Sequence, residues 1–177
     1  GNGGDYQFTG KGHVEFWDTA SSIVINSQSY TLVNDITSLA SSIGNSPAGS
    51  FALAKNYNAK HDNAYLNCPV SVTLLGSFDG LGNTIADLKI RQRGHTTEKA
   101  GLLCGIGSNA IVRDINVVDA QIFTARPSAG EAGILAADNE GKIEYAFASG
   151  SIIGNYNSGA IGGLWGGNGG SVSKSHS

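Results

Sequence analysis

The sequence predicts an all-β protein that folds as a right-handed parallel β-helix, a solenoid, with one short helix near residues 35–43. Short apolar segments recur with glycine at positions 101, 133 and 163, a spacing of about 30 residues that is typical of repeat architectures. The 26 glycines and 3 prolines indicate frequent turns. Apolar residues alternate between those turns, as in half-buried strands. A strand-turn-strand unit of this length cannot bury its apolar face alone, so successive units are expected to stack.

Each repeat carries a second strand after its glycine-rich turn. The predicted second strands are residues 110–115, 142–146 and 171–175. An earlier rung is expected in residues 76–90, with residues 83–85 in the place of the second strand. The whole chain, residues 1–177, is expected to form a single domain.

The pattern of residues 1–44 predicts an opening coil followed by the helix. The expected strands of this coil are residues 6–9, 13–17 and 22–26. Asn34 or Asp35 can cap the first turn of the helix, and Gly44 can close its last turn. Its apolar face is expected to lie against the side or the open end of the β-helix.

Charge and hydropathy argue against nucleic-acid binding and against a membrane-spanning helix. The net charge of −3 provides no basic stripe to neutralise phosphates, so nucleic acid is not expected as a partner. No run of 18 apolar residues predicts a membrane-spanning helix, and no signal peptide is recognisable. The chain contains no methionine, so we expect a fragment or a processed chain.

The two cysteines leave three interpretations open. Cys68 and Cys104 are 36 residues apart, which is longer than one repeat and does not decide whether they pair. They can form a disulfide, remain as two buried thiols, or include a reactive thiol.

Carboxylates are candidate catalytic groups because parallel β-helices can carry hydrolytic or lyase grooves. The candidates are Asp79, Asp87, Asp114, Asp119 and Asp138. Their positions favour turn and surface roles. Aligning residues 85–88 with residues 112–115 predicts that Asp87 and Asp114 stack about 5 Å apart on neighbouring coils. Later coils carry Ala146 and Ser175 in that place, so no long acidic groove is expected.

Histidine and asparagine positions predict structure rather than chemistry. The four histidines lack the spacing of metal ligands, so no metal is expected. The sequence contains no Gly-x-Ser-x-Gly elbow, phosphate loop or dinucleotide fingerprint, so no cofactor or catalytic residue is expected. Four asparagines fall in turns, where stacked side-chain amides can join neighbouring coils: Asn83, Asn109, Asn139 and Asn168.

The candidate binding surface is the polar loop at residues 56–67, because loops carry binding residues more often than stacked strands do. A second loop, residues 124–131, can also present contacts. In the repeats, alternation leaves open whether Trp165 faces the core or solvent. The candidate residues are Asn56, Tyr57, His61, Asp62, Tyr65 and Trp165.

Three segments resemble the filamentous-haemagglutinin-like adhesins of Gram-negative bacteria: residues 30–35 (YTLVND), 51–57 (FALAKNY) and 76–85 (GSFDGLGNTI). The repeats at about residues 100–177 are similar to GLUG repeats. The resemblance implies a very large secreted protein at the bacterial cell surface, of which this chain is a non-catalytic stretch of a rod. The chain departs from that family in having two cysteines. The combination of GLUG-like repeats with residues 78–85 (FDGLGNTI) also resembles the non-catalytic N-terminal region of IgA-protease-type zinc metallopeptidases.

We therefore expect a rigid stalk with an adhesion surface for host or neighbouring cells, including their glycans. One alternative is a self-assembling extracellular fibre subunit that associates end to end, because the coil ending at Ser177 lacks a cap. Another is a carbohydrate-active β-helix or the accessory region of a surface metallopeptidase. Stacked acids with Arg or Lys in an open groove would favour the enzyme.

Overall fold

The computed structural model describes residues 6, 8, 12–92, 99–124, 130–154 and 160–177. These residues form a parallel β-solenoid of about four turns, which confirms the predicted parallel β-helix. One α-helix, α1, spans Ile36–Asn45, and a 3₁₀ helix spans Ala59–His61. The strands are β1 (Ile23–Ile25), β2 (Gln28–Val33), β3 (Ser50–Leu53), β4 (Tyr57–Asn58), β5 (Ser77–Asp79), β6 (Thr84–Ala86), β7 (Lys89–Arg91), β8 (Leu103–Ile106), β9 (Ile111–Arg113), β10 (Asn116–Thr124), β11 (Ala132–Gly133), β12 (Ala136–Asn139), β13 (Lys142–Glu144), β14 (Phe147–Gly154), β15 (Ile161–Gly162), β16 (Trp165–Asn168) and β17 (Ser171–Ser173).

The strands form four sheets. Sheet 1 has the order β1-β2-β3-β5-β9-β13-β17, and its only antiparallel pair within the described residues is β1 with β2. Sheet 2 has the order β14-β10-β6-β4, with β7 also paired to β10. Sheet 3 has the order β16-β12-β8, and sheet 4 pairs β11 with β15. Parallel pairing between coils therefore continues along the stack.

Equivalent apolar side chains from successive coils stack into one core. In sheet 1 the stacked positions are Phe51, Phe78, Val112, Ile143 and Val172. In sheet 2, Ile85, Val117 and Ala148 stack in the same way and are completely buried. Because each coil buries its apolar residues against its neighbours, one coil alone has no complete core.

The observed register corrects the predicted alignment of the rungs. Residues 83–85 do not take the place of a second repeat strand, because Phe78 pairs with Val112 whereas Ile85 pairs with Val117. The chain makes an additional corner between β5 and β6 that the repeat pattern does not reveal.

The third repeat is also shifted by one residue from its predicted alignment. Gly162, not Gly163, pairs with Gly133. Trp165 pairs with Ala136, which in turn pairs with Leu103. The spacing from Gly133 and Gly163 predicts that Leu135 aligns with Trp165. This alignment is wrong, because the coils differ in length.

Helix α1 covers the core beside the first coils. The Asp35 side chain accepts a hydrogen bond from Ser38 N at 2.6 Å, and Ser38 Oγ accepts one from Asp35 N at 3.1 Å. This capping box begins the helix. Ile36, Leu39 and Ile43 are completely buried in the common core. Gly44 lies within the last turn rather than closing it, because the C-cap is Ser46. Within the described residues, no helix has the length and apolarity needed to span a membrane.

The N-terminal segment, whose described residues are 6, 8 and 12–22, is less regular than predicted. Residues 13–17 form no strand, although Val14 N donates to Leu81 O at 3.0 Å and Phe16 N donates to Ala54 O at 2.7 Å. β1 lies within predicted residues 22–26. Of the predicted strand at residues 6–9, Tyr6 and Phe8 are not in a strand, and residues 7 and 9 lie outside the described residues. Phe16 and other apolar residues cover a second buried cluster on the outer face of sheet 1: Leu32, Ala52, Ala54 and Leu81. The segment thus shields the first coils.

A disulfide joins Cys68 to Cys104, with their Cα atoms 5.3 Å apart. Cys68 lies in a section of chain whose contacts with β8 are isolated bridges, such as Val70 with Leu103 and Leu74 with Ile106. The cross-link therefore fastens a section that has few ladder hydrogen bonds.

Removing this disulfide is expected to lower the free energy of unfolding by about 2–4 kcal/mol, because a bond across 36 residues restricts the unfolded chain. The measurement is urea unfolding of the native chain with and without a reducing agent. The Cys68→Ser/Cys104→Ser double variant serves as the control and should not respond to the reductant. Equal stability of the oxidised and reduced chains would contradict the expectation.

Candidate functional site

The predicted binding loop at residues 56–67 folds against the body of the solenoid. Tyr57 lies in β4, and Tyr65 forms a parallel bridge with Ile90. Tyr57 OH donates to Asp62 Oδ1 at 2.7 Å, and Tyr65 OH donates to Asp62 Oδ2 at 2.8 Å. Both rings pack against the common core. The structure thus brings three of the predicted residues together in a Tyr57–Asp62–Tyr65 clamp.

The clamp keeps both tyrosines protonated over a wide pH range. Burial, followed by the hydrogen bond to Asp62, raises the pKa of Tyr57 to about 12. The same causes raise the pKa of Tyr65 above its usual value. Because the protonated hydroxyls donate to the carboxylate, the clamp holds the loop in place.

Stability is expected to fall as pH rises from about 10 to about 12. Tyr57 loses its proton near pH 10 in the unfolded chain but only near pH 12 in the folded chain. The stabilisation that comes from its protonated hydroxyl is therefore complete below about pH 10 and is lost as the pH rises to about 12. Asp62→Asn should lose less stability in this window, as measured by urea unfolding at about pH 9 and about pH 11.

Asp18→Asn is a suitable control, because Asp18 Oδ1 caps only the exposed Ala20 N at 2.8 Å. An identical pH response of Asp62→Asn and the native chain would exclude this role for the clamp.

The other predicted residues lie apart from the clamp or have different roles. His61 is exposed, and Trp165 is half-buried against the core. Asn56 Oδ1 accepts from Thr84 N at 2.8 Å, while Asn56 Nδ2 donates to Glu15 Oε1 at 3.1 Å. Asn56 therefore connects the sheet to the N-terminal segment.

The predicted stacking of Asp87 with Asp114 is wrong. Asp87 N donates to Val118 O at 3.0 Å, which places Asp87 beside β10. Asp114 follows Arg113, whose partner in the register is Asp79. The prediction aligned residues 83–85, which belong to sheet 2, with a strand of sheet 1. Asp87 and Asp114 were therefore compared although they lie beside different sheets.

The structure instead forms a buried cluster of Asp79, Arg113 and Asp114. Arg113 Nε donates to Asp114 Oδ2 at 2.6 Å and lies 4.0 Å from Asp79 Oδ2. The side chains of Asp79 and Asp114 are only 1% and 2% exposed. One guanidinium thus compensates two buried carboxylates.

Tyr6 covers this cluster. Tyr6 OH donates to Asp79 Oδ2, and Arg113 Nη2 donates to Tyr6 O at 3.0 Å. The guanidinium also lies 4.7 Å from the centre of the Tyr6 ring. Burial, followed by the hydrogen bond to Asp79, raises the pKa of Tyr6 well above its usual value. The cluster therefore anchors the N-terminal segment, and its charges are used within the fold.

The predicted asparagine stacking occurs at one step. Asn139 Nδ2 donates to Asn168 Oδ1 at 2.6 Å between coils. Asn83 is buried, and its Nδ2 donates to the backbone oxygens of Leu53 at 3.0 Å and Val14 at 2.8 Å. Asn109 is exposed in a turn. Asn83 thus ties the N-terminal segment to the first coils, a role that the turn pattern did not predict.

A groove lies where the N-terminal segment passes the outer face of sheet 2. Thr84, Asn116 and Phe147 occupy the same register position on successive strands. With His13 and Asn56 they line a cavity of about 440 Å³, which we call the sheet-2 groove. Asn56 was among the predicted binding residues, but the groove itself was not predicted, because its floor depends on the register and its wall on the position of residues 13–17.

The groove has an uncharged floor and a polar rim. His13 Nε2 lies 3.4 Å from Glu15 Oε1, the oxygen that also accepts from Asn56. At the other end, the rings of Phe147 and His176 have their centres 4.8 Å apart. The groove therefore offers an aromatic ring, amides and a hydroxyl.

The described residues form a parallel β-solenoid in which the buried cluster of Asp79, Arg113 and Asp114 holds the N-terminal segment in place through Tyr6. The described part of the chain contains no group of three or more His, Cys, Asp or Glu side chains placed to hold a metal ion. No protein-family model matches this chain, and neither a curated protein nor a solved structure shows significant similarity to it.

Proposed function

We propose that this chain is a rigid, non-catalytic segment of a secreted bacterial surface adhesin that contacts host or neighbouring cells. The observation that carries the proposal is sheet 1, which links the coils in one parallel series from β2 to β17. Bending such a stack would stretch hydrogen bonds between coils and open the shared core. A stiff segment of this kind can hold adhesive parts away from a cell.

Two further observations support the proposal. The Cys68–Cys104 disulfide suits an oxidising compartment, as expected for a secreted protein. Asp79 and Asp114, which lie beside Arg113, are buried and paired within the fold. Their burial favours a structural role over attack on a polysaccharide.

The distance between the first and last coils tests the proposed rigidity. Spin labels at the exposed Ser29 in β2 and Ser171 in β17 would be attached through unnatural amino acids, which leaves the disulfide intact. Five strand spacings predict a backbone separation of about 24 Å, with a narrow distance distribution. A distribution as broad as that of the urea-unfolded control would contradict a rigid segment.

Release of reducing ends from a panel of polysaccharides would contradict the non-catalytic part of the proposal. The panel should be incubated with the complete chain. Asp79→Asn would then show whether the buried cluster is responsible for any activity that is found.

End-to-end self-association is a second candidate, favoured by the outermost described coil. The strands β16 and β17 pair on one side only, and Val172 is half-buried whereas its neighbour Ile143 is completely buried. Sedimentation velocity should then show larger species as concentration rises. A monomer at every concentration would exclude this candidate.

A further inference from the structure

The sheet-2 groove combines an aromatic ring with polar groups that are already oriented. Asn116 Nδ2 donates to Gly82 O at 3.2 Å. Asn56 is held between Thr84 N and Glu15 Oε1. An amide carries two N–H donors and an oxygen with two lone pairs, so these bonds orient each amide without using its full capacity. Because these side chains are already ordered, binding a ligand costs less conformational entropy.

The charge of the groove selects against ionic ligands. Thr84, Asn116, Val118 and Phe147 are uncharged. At the rim, His13 Nε2 lies 3.4 Å from Glu15 Oε1, so the carboxylate already has a partner on the wall of the groove. A sulfate or phosphate would find no fixed cation on the floor, and a cation would find no carboxylate there. The ligand is therefore expected to be neutral.

The groove also disfavours an extended peptide. Its floor includes β10, which pairs with β14 on one side and with β6 on the other. No backbone edge of β10 is free to add a peptide strand along this floor, so the usual hydrogen bonding of strand addition is absent.

The dimensions suit a small, elongated ligand. Thr84, Asn116 and Phe147 lie on successive coils and span two strand spacings, about 10 Å. The cavity of about 440 Å³ lies within the range of small-molecule sites, about 300–1,000 Å³. A sugar presents an apolar C–H face for an aromatic ring and hydroxyls for amides and hydroxyls.

We infer that the sheet-2 groove binds a short neutral saccharide, with Phe147 stacking on a sugar ring and with Asn56, Thr84 and Asn116 binding its hydroxyls. This inference rests on the proposed adhesive function and names the ligand class of that function.

The test begins with the complete chain on an array of neutral, sulfated and sialylated glycans. The strongest neutral ligand is then titrated by calorimetry against the native chain and two variants. Phe147→Leu keeps an apolar side chain but removes the ring, and it should weaken binding about tenfold. Phe123→Leu is the matched control, because Phe123 is 50% exposed elsewhere on sheet 2, and it should change affinity by less than about twofold. Thermal unfolding of both variants shows whether the fold is retained.

Salt provides a second readout, because binding of a neutral ligand should be nearly independent of ionic strength. Binding only to sulfated or sialylated glycans, or only to peptides, would overturn the inference. So would an unchanged affinity in Phe147→Leu or the absence of any glycan binding. A chain that still shows the narrow distance between Ser29 and Ser171 would then retain the proposed rigid-segment function without the saccharide site.

Discussion

Replacing Arg113 with methionine is expected to lower the free energy of unfolding by about 3–5 kcal/mol. Arg113 is the cation that faces Asp79 and Asp114, whose side chains are almost inaccessible to water. Methionine retains much of the apolar volume but leaves two like charges buried without a compensating cation. The loss is measured as the shift of the urea unfolding transition at neutral pH.

A surface ion pair supplies the control for this variant. Lys142 Nζ lies 3.0 Å from Glu144 Oε1, and the lysine side chain is 48% exposed. Lys142→Met should therefore cost no more than about 1 kcal/mol. Adding Asp79→Asn and Asp114→Asn to Arg113→Met should recover part of the lost stability. Equal effects of Arg113→Met and Lys142→Met would show that the buried carboxylates do not depend on Arg113.

Replacing Gly133 with alanine is expected to destabilise the protein by about 3 kcal/mol, because the added methyl group has no space. Its Cβ would lie 2.3 Å from Ala136 O and 2.4 Å from Trp165 Cα. Both are backbone atoms, so no side-chain rotation can relieve the overlap. Thermal or urea unfolding measures the loss.

Gly44→Ala is the matched control, with an effect of the opposite sign. Gly44 lies in the last turn of α1, and a Cβ there would have no atom within 4 Å. Alanine should stabilise the helix by about 0.5–1 kcal/mol, because glycine loses more backbone entropy on folding. Full stability of Gly133→Ala would contradict the close approach of the coils at this glycine.

The positions of the glycines explain why the fold could be predicted from the sequence. Ala100 pairs with Ala132, and a Cβ on Gly101 would lie 2.5 Å from Gly133 O. Gly133 in turn pairs with Gly162. Glycine recurs where neighbouring coils approach too closely for a side chain, so a steric requirement of stacking appears directly as a periodic pattern. The cap of α1 was similarly predictable, because Asp35 and Ser38 are only three residues apart.

The residue pattern alone determined the parallel β-helix and the short helix after the opening coil, and its asparagine series included the amide contact between Asn139 and Asn168. These features depend on local spacing or on a near-constant period. The pairing of Asp79 with Arg113, the Cys68–Cys104 disulfide and the sheet-2 groove were decided only by the tertiary structure. The physical reason is the variable length of the coils: the stacked core positions from Phe51 to Val172 are separated by 27, 34, 31 and 29 residues. An insertion at a corner leaves the strands stacked but changes which side chains become neighbours, and only packing across the coils selects that register.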